Sequence, residues 1–115
     1  MSLTENVTKG AELLDQTWPY WWNRVDPETV DVARYSLCPL AQASGTRDYA
    51  EGRLQLLIDS GSELANPAYL AEPDQSFHYG RWSEEHGFSL RDGEGYPELT
   101  RLWREAILER RGGAA

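Results

Sequence analysis

The sequence predicts a small, mainly α-helical domain: a compact bundle of four or five short helices, with at most one minor short strand near residues 29–35. Its 115 residues suit one domain with one core. Hydrophobic residues make up 40% and charged residues 26% of the chain, as in globular proteins. Apolar residues recur at helical spacing in segments that prolines and glycines separate. We therefore expect a single domain over residues 1–115, with a disordered tail at about residues 112–115.

The first helix is predicted over about residues 4–16. Its spacing places four apolar side chains on one face, namely Val7, Ala11, Leu14 and Trp18. Pro19 interrupts this helix, because a proline cannot continue an established helix but can begin a new one. We therefore expect a second short helix from Tyr20 to Val25, set at an angle to the first.

The middle of the chain leaves two alternatives open. Asp26-Pro27 either begins another helix or starts a loop, and residues 29–35 alternate weakly enough for a short strand or a helical turn. A further helix is predicted over residues 48–60, ending at Gly61. Its predicted apolar face consists of Ala50, Leu54, Leu57 and Ile58. Residues 62–75, with two prolines, are predicted to form a surface connection with a short turn.

Two helices are predicted in the last third of the chain. Asp74 can cap a helix over residues 75–86, which would end with Gly87 in the left-handed conformation and Phe88 folded back onto Trp82. Residues 91–95 are a turn-rich link to the final helix, YPELTRLWREAILERR. The apolar stripe of that helix consists of Tyr96, Leu99, Leu102, Trp103, Ala106 and Ile107. Pro97 suits the first turn, Arg110 and Arg111 suit the last turn, and Gly112 ends the helix.

Charge and cysteine content limit the function classes. The formal net charge is −8 and the isoelectric point is near 4.7, so the phosphate backbone of nucleic acids and anionic membranes would repel the chain. We therefore expect neither nucleic acid nor a membrane as a partner. One cysteine excludes an intramolecular disulfide, and no apolar run is long enough for a signal peptide or a membrane span. A cytoplasmic protein is expected.

Residues that could carry chemistry are few. Cys38, His78 and His86 are too few and too scattered for a structural zinc site, although Cys38 and a histidine could meet in the fold as a nucleophile and its base. The simpler interpretation is that Cys38 packs in the core and that His86 lies at a helix C-terminus. The glycines match no nucleotide-binding fingerprint, and no serine has a nucleophile-elbow context. The sequence therefore predicts no catalytic residue, no metal and no cofactor.

The aromatic segment TWPYWWNRVD, residues 17–26, is the strongest indication of a binding surface. Trp21 and Trp22 would lie about 100° apart on a helix, so a narrow core-facing stripe cannot easily bury both. We expect Trp18 and one of this pair to pack in the core, and the other to lie half exposed with Tyr20. The arginines of the last helix face away from its apolar stripe and are an alternative dock for an acidic partner. The candidate interaction surface therefore consists of Tyr20, Trp21, Trp22, Arg101 and Arg104.

Six short motifs, each present once, follow one another along the chain. They are Leu14-Asp15, Pro19 with Trp21 or Trp22, Arg24-Val25-Asp26, Cys38-Pro39-Leu40-Ala41-Gln42, His86-Gly87-Phe88, and Tyr96-Pro97-Glu98-Leu99 leading to Trp103. With this order the chain resembles a group of small proteins from actinobacteria and their phages that have no established activity. The resemblance spans residues 10–111, with Ala41 where the group has glycine. It implies an accessory protein of phage or mobile-element origin and carries over no catalytic residue.

These observations lead to three hypotheses about function. The first is a non-enzymatic, acidic helical protein that acts by binding another protein or by self-association, for example as a phage-derived modulator of a host factor. The second is an enzyme or small-ligand-binding protein with a pocket near Cys38, His78 and His86. The third is an acidic mimic of nucleic acid, which would cluster its carboxylates on one face. The abundance of tryptophan and tyrosine, with no recognisable chemistry, favours the first.

Overall fold

Five α-helices make up most of the described structure, a computed structural model that covers residues 2–65, 75–90 and 93–112, without the side chains of residues 75–78. They are α1 (Leu3–Thr17), α2 (Pro39–Ser44), α3 (Tyr49–Asp59), α4 (Gln75–Glu85) and α5 (Tyr96–Arg110). Short 3₁₀ helices lie at Trp21–Asn23, Glu63–Ala65 and Gly93–Gly95. These ranges contain no strand, so the predicted small, mainly α-helical bundle is confirmed.

The optional strand near residues 29–35 does not form, because this segment satisfies its backbone groups locally and on α5. The N–H of Val30 donates to the carbonyl of Asp26 at 2.9 Å, and the N–H of Asp31 donates to that of Leu37 at 3.1 Å. The N–H of Val32 donates to the Thr100 hydroxyl on α5 at 3.0 Å. The segment is therefore a series of turns laid against α5.

Helix α1 forms as its sequence predicts and packs against α5. The Ser2 hydroxyl accepts the N–H of Glu5 and caps the first turn, and the helix ends two residues before Pro19. Its buried residues are Val7, Gly10, Ala11 and Leu14. The prediction that Trp18 lies in the core is wrong, because Trp18 is only half-buried and its indole N–H donates to the Asp59 carboxylate at 2.7 Å.

Helix α2 is an element that the sequence analysis did not predict. It spans only six residues, begins with Pro39 in its first turn, and is capped by Cys38, whose Sγ accepts the N–H of Ala41 at 3.4 Å. Leu40 is buried, and the helix packs on α3. Cysteine is not among the usual capping residues, so this start was not visible in the sequence.

Helix α3 has the predicted extent, but its predicted apolar face is wrong. Of that face only Leu57 is buried, whereas Leu54 is 38% exposed and Ile58 is 53% exposed. The reason is Gly52, where an added Cβ would lie 2.6 Å from the carbonyl oxygen of Leu40. The bare backbone at Gly52 lets α3 approach α2 closely, so the side with Gly52 and Leu56 faces the core instead.

Helices α4 and α5 form as predicted. Gly87 adopts φ +72° after α4, the Phe88 N–H donates to the carbonyl of Ser83 at 2.8 Å, and the Phe88 ring lies 5.5 Å from that of Trp82. The stripe of α5 contributes Leu99, Trp103 and Ile107 to the core, with Tyr96, Leu102 and Ala106 packed at its edge. The helix ends where Gly112 adopts φ +78°. The predicted Asp74 cap, residues 66–74, the first two residues of the 91–95 link and tail residues 113–115 lie outside the described residues.

Candidate functional site

The candidate site is the aromatic turn, defined as residues 18–25, which follows α1 and lies against the end of α5. It contains one short 3₁₀ helix, Trp21–Asn23, instead of the predicted helix from Tyr20 to Val25. Trp21 anchors the turn: its side chain is buried, and its indole N–H donates to Asp15 Oδ1 at 2.8 Å. Its ring meets the ring of Trp103 edge-on, with the centroids 5.8 Å apart. Trp21 was predicted as part of the interaction surface, and this is wrong because a fully buried side chain cannot contact a partner.

A bidentate ion pair fixes α1 and the aromatic turn to the last turn of α5. Arg110 donates to Asp15 from Nη2 at 2.8 Å and from Nε at 2.9 Å, and its guanidinium lies 5.8 Å from the centre of the Trp21 ring. Partial burial alone would raise the pKa of Asp15. The hydrogen bonds from Arg110 and Trp21 and the charge of Arg110 outweigh it, so the pKa of Asp15 lies below its ordinary value. Asp15 is therefore charged at neutral pH.

Arg111 holds the backbone of the aromatic turn. Its Nε donates to the carbonyl of Trp22 at 3.1 Å, and its Nη2 donates to the carbonyl of Val25 at 3.0 Å. A planar guanidinium that bonds two carbonyls of one turn leaves that turn little freedom to change shape. The aromatic turn is thus fixed at its core side by Trp21 and along its backbone by Arg111.

Tyr20 projects from the aromatic turn into solvent. Its side chain is 68% exposed, and its backbone adopts φ +66° and ψ +22°, which is the left-handed region. A residue with a Cβ pays roughly 1–2 kcal/mol for this conformation. The Trp22 ring meets the Tyr20 ring edge-on, with the centroids 5.8 Å apart, and is half-buried. One tryptophan of the pair packs in the core and the other lies half exposed beside Tyr20, as the sequence predicts.

The two arginines of the predicted surface are engaged within the molecule. Arg101 pairs with Glu98 and, at 2.7 Å, with Glu105 along the exposed face of α5. Arg104 donates from Nε to the carbonyl of Pro27 at 2.7 Å and is half-buried. Arg104, like Arg111, therefore holds the segment after α1 onto α5. This role of Arg104 was not predicted, because a backbone carbonyl as partner leaves no mark in the sequence.

Cys38 is not suited to act as the nucleophile of the predicted cysteine–histidine pair. Cys38 is buried in the core, and this burial raises the pKa of its thiol to about 11, so the thiolate that would attack a substrate is scarce at neutral pH. His86 lies at the end of α4 with its Nδ1 2.8 Å from the Trp82 carbonyl, and its ring lies 4.8 Å from that of Trp82 and 6.4 Å from that of Phe88. The side chain of His78 lies outside the described residues. Cys38 packs and His86 lies at a helix C-terminus, as predicted.

The described residues offer no metal site and no membrane-spanning helix, and comparisons with known proteins found no relative. Within residues 2–65, 75–90 and 93–112, no three histidine, cysteine, aspartate or glutamate side chains are placed to share a metal ion. None of the helices in this part of the chain combines the length and the apolar character needed to cross a bilayer. Comparison with protein-family models, with curated proteins and with solved structures found no match.

The Asp15–Arg110 pair makes a prediction about pH. Since folding lowers the pKa of Asp15, its stabilisation is present above the unfolded-state pKa of about 3.9 and is lost as the pH falls through the folded-state pKa. Asp15→Asn keeps an acceptor for the Trp21 N–H but loses the charge. We expect urea unfolding to show the variant about 0.5–1 kcal/mol less stable at pH 7, with the gap narrowing as the pH falls below the unfolded-state pKa of about 3.9. A gap that does not change with pH would contradict the pairing.

Proposed function

We propose that the protein acts by binding another protein through the aromatic turn, with Tyr20 and Trp22 as the contact residues. One observation carries this proposal: Tyr20 is exposed in a left-handed backbone on a turn whose backbone and core side are both held in place. Single exposed apolar side chains are common and need no explanation. Backbone strain that presents an aromatic ring to solvent is uncommon and concentrates at functional sites.

A rigid aromatic side chain suits a protein interface for an energetic reason. Tyrosine and tryptophan dominate binding hot spots because they bury a large area and lose few rotamers. Since Arg111 and Trp21 already fix the turn, the turn loses little conformational entropy when it binds a partner. The aromatic turn is therefore preorganised for binding and does not need to fold when it meets its partner.

The surroundings of the turn indicate the chemistry of the partner. Tyr20 stands out from the surface, so the partner must offer an apolar cleft that accepts a ring. Arg111 is exposed at the end of α5, where its guanidinium bonds the carbonyls of Trp22 and Val25. We propose a partner whose cleft is bordered by carboxylates, so that this positive charge is matched. Self-association through Tyr20 is the competing outcome.

The test compares two exposed tyrosines. Tyr35 is 75% exposed, and its ring lies 6.0 Å from that of Tyr49, so it matches Tyr20 in residue type and exposure. A photo-crosslinking phenylalanine analogue at position 20 and, separately, at position 35 is exposed to an actinobacterial lysate. We expect a protein captured from position 20 and not from position 35. Purified, that protein should bind Tyr20→Ser at least about tenfold more weakly than the unaltered chain and bind Tyr35→Ser unchanged.

Three results would overturn the proposal. One is equal affinity of the captured protein for Tyr20→Ser and for the unaltered chain. Another is the same capture pattern from positions 20 and 35. The third is concentration-dependent sedimentation that Tyr20→Ser abolishes, which would make a second copy the occupant.

The proposed biological role is that of an accessory protein of phage or mobile-element origin. The resemblance to proteins of actinobacteria and their phages supports an accessory protein that modulates a host factor in the cytoplasm. No observation of similar weight favours catalysis around Cys38 and His86. For a nucleic-acid mimic, five of the described carboxylates pair with arginines, which interrupts a negative surface; they are those of Asp15, Asp31, Glu85, Glu98 and Glu105.

A further inference from the structure

We propose that a pocket beside the aromatic turn binds a small, hydroxyl-bearing phosphate monoester. The pocket lies between that turn and the loop after α2, and its volume of about 460 Å³ is within the range of small-ligand sites. The side chains that matter for binding are Arg24, Asp26, Thr29, Ser36, Gln42 and Arg47. This site is separate from the protein-binding role proposed for Tyr20 and does not depend on it.

The pocket holds two guanidinium groups that the fold leaves available. In the described part of the chain, neither Arg24 nor Arg47 forms an ion pair, and the one side-chain hydrogen bond of Arg24 goes to the Ala43 carbonyl at 3.4 Å. Each of the other described arginines has a carboxylate or aromatic-ring partner, or a carbonyl no farther than 3.0 Å; they are Arg34, Arg53, Arg81, Arg101, Arg104, Arg110 and Arg111. In a chain of net charge −8, two available arginines on one pocket point to an anion.

Two hydroxyl groups add neutral donors to the same pocket. Thr29 and Ser36 line it, and among the described residues neither side chain makes a hydrogen bond. Gln42, in contrast, forms a hydrogen bond within the protein at each end of its amide. Its Oε1 accepts the Asp26 N–H at 2.9 Å, and its Nε2 donates to the Leu37 carbonyl at 2.8 Å. Gln42 therefore holds the walls together. The arginines and hydroxyls remain available to donate to phosphate oxygens.

Arg47 occupies its position at a backbone cost. It adopts φ +59°, a conformation that glycine takes freely and other residues disfavour. A turn that served only to connect α2 and α3 would be better made by glycine at this position. The arginine side chain is thus the feature that requires explanation, and an anion in the pocket explains it.

Asp26 narrows the ligand class. Its Oδ1 accepts the N–H of Glu28 at 2.8 Å, which fixes the carboxylate at the pocket. The fixed negative charge of Asp26 repels inorganic phosphate. A carboxylate oxygen can, however, accept a hydrogen bond from a hydroxyl group of the ligand. The pocket should therefore prefer a phosphate carried on a hydroxylated molecule, such as a sugar phosphate, over inorganic phosphate.

Titration calorimetry at low salt tests this with three probes: glucose 6-phosphate, inorganic phosphate and glucose. We expect glucose 6-phosphate to bind more tightly than inorganic phosphate and glucose not to bind. Arg24→Gln and Arg47→Gln should each weaken glucose 6-phosphate binding at least about tenfold. Asp26→Asn, which keeps an oxygen acceptor for the Glu28 N–H, should tighten inorganic phosphate binding about threefold or more because it removes the repulsion.

Three control variants separate the pocket from other causes. Arg34→Gln removes an exposed arginine that is paired with Asp31 and should leave binding unchanged. Arg47→Gly accepts the left-handed backbone, so it should keep the fold by circular dichroism and still lose binding. Tyr20→Ser should leave phosphate binding intact, which distinguishes this site from the proposed protein contact. The proposal fails if no probe binds at about 10 mM, if Arg34→Gln weakens binding as much as Arg47→Gln, or if Asp26→Asn weakens inorganic phosphate binding.

Discussion

Replacing Gly10 by alanine is expected to destabilise the protein by about 2–3 kcal/mol, although alanine normally stabilises a helix by about 1 kcal/mol relative to glycine. Gly10 lies in the middle of α1, where a Cβ would come within 2.0 Å of the His86 carbonyl oxygen and 3.0 Å of Trp103 Cζ2. Neither atom can move cheaply, because one is backbone at the end of α4 and the other belongs to the core. The clash therefore outweighs the gain in helix propensity.

A second helical glycine provides the control for this prediction. Gly80 lies in α4, and an added Cβ there meets no described atom within 4 Å. Gly80→Ala should therefore stabilise the protein by about 0.5–1 kcal/mol, which is the ordinary effect of the substitution. Urea unfolding followed by far-UV circular dichroism measures both variants. Midpoints that move in the same direction would contradict the close approach of α1 to the end of α4.

The elements that the sequence predicts correctly are those with a long apolar stripe or a local end signal. Of the apolar side chains that helical spacing assigns to one face, α1 buries Val7, Ala11 and Leu14, and α5 buries Leu99, Trp103 and Ile107. The end of α4 follows from the pair Gly87 and Phe88, since a left-handed glycine and a hydrophobic residue after it act within a few positions of each other. Local patterns suffice for these because the physical cause is local.

The errors in α3 and α2 have a different cause. A hydrophobic pattern counts apolar side chains, so it selected Leu54 and Ile58 as the inner face of α3. The inner face is set instead by Gly52, which has no side chain and allows the Leu40 backbone to approach. Helix α2 was missed because a cysteine thiol caps it. In both helices the deciding interaction involves a group that propensity rules weigh lightly.

The candidate site was predictable only in part. That Trp21 and Trp22 cannot both be buried follows from their adjacency, but the choice of Trp21 depends on Asp15 and on Trp103 far along the chain. Arg104 reaches a carbonyl 77 positions away, and Arg110 reaches a carboxylate 95 positions away. No local pattern encodes such partners, whereas the ion pairs of Arg101 with Glu98 and Glu105 follow from their spacing on one helix. The same limit hid the pocket of Arg24 and Arg47.

The other large effect is expected at Trp103, where Trp103→Ala should cost about 3–5 kcal/mol and unfold a domain of ordinary stability at moderate urea concentrations. Trp103 is fully buried, and its indole N–H donates to the Gly87 carbonyl at 2.7 Å. Its ring stacks on Phe88 at a centroid distance of 5.3 Å and meets Trp21 edge-on. Deleting it leaves a cavity between α1, α5, the aromatic turn and the end of α4, and leaves a buried carbonyl without its donor.

Graded substitutions separate the two parts of this loss. Trp103→Phe keeps an aromatic ring but removes the donor to the Gly87 carbonyl, so we expect a smaller cost of about 1–3 kcal/mol. Trp22→Ala, at a half-buried tryptophan of the same turn, should cost less than Trp103→Ala in the same urea titration. Because the Trp103 ring supports Trp21, both Trp103 variants should also shift the Trp21 indole N–H resonance. An unshifted resonance in Trp103→Phe together with an unchanged unfolding midpoint would mean that Trp103 does not link the aromatic turn to the end of α4.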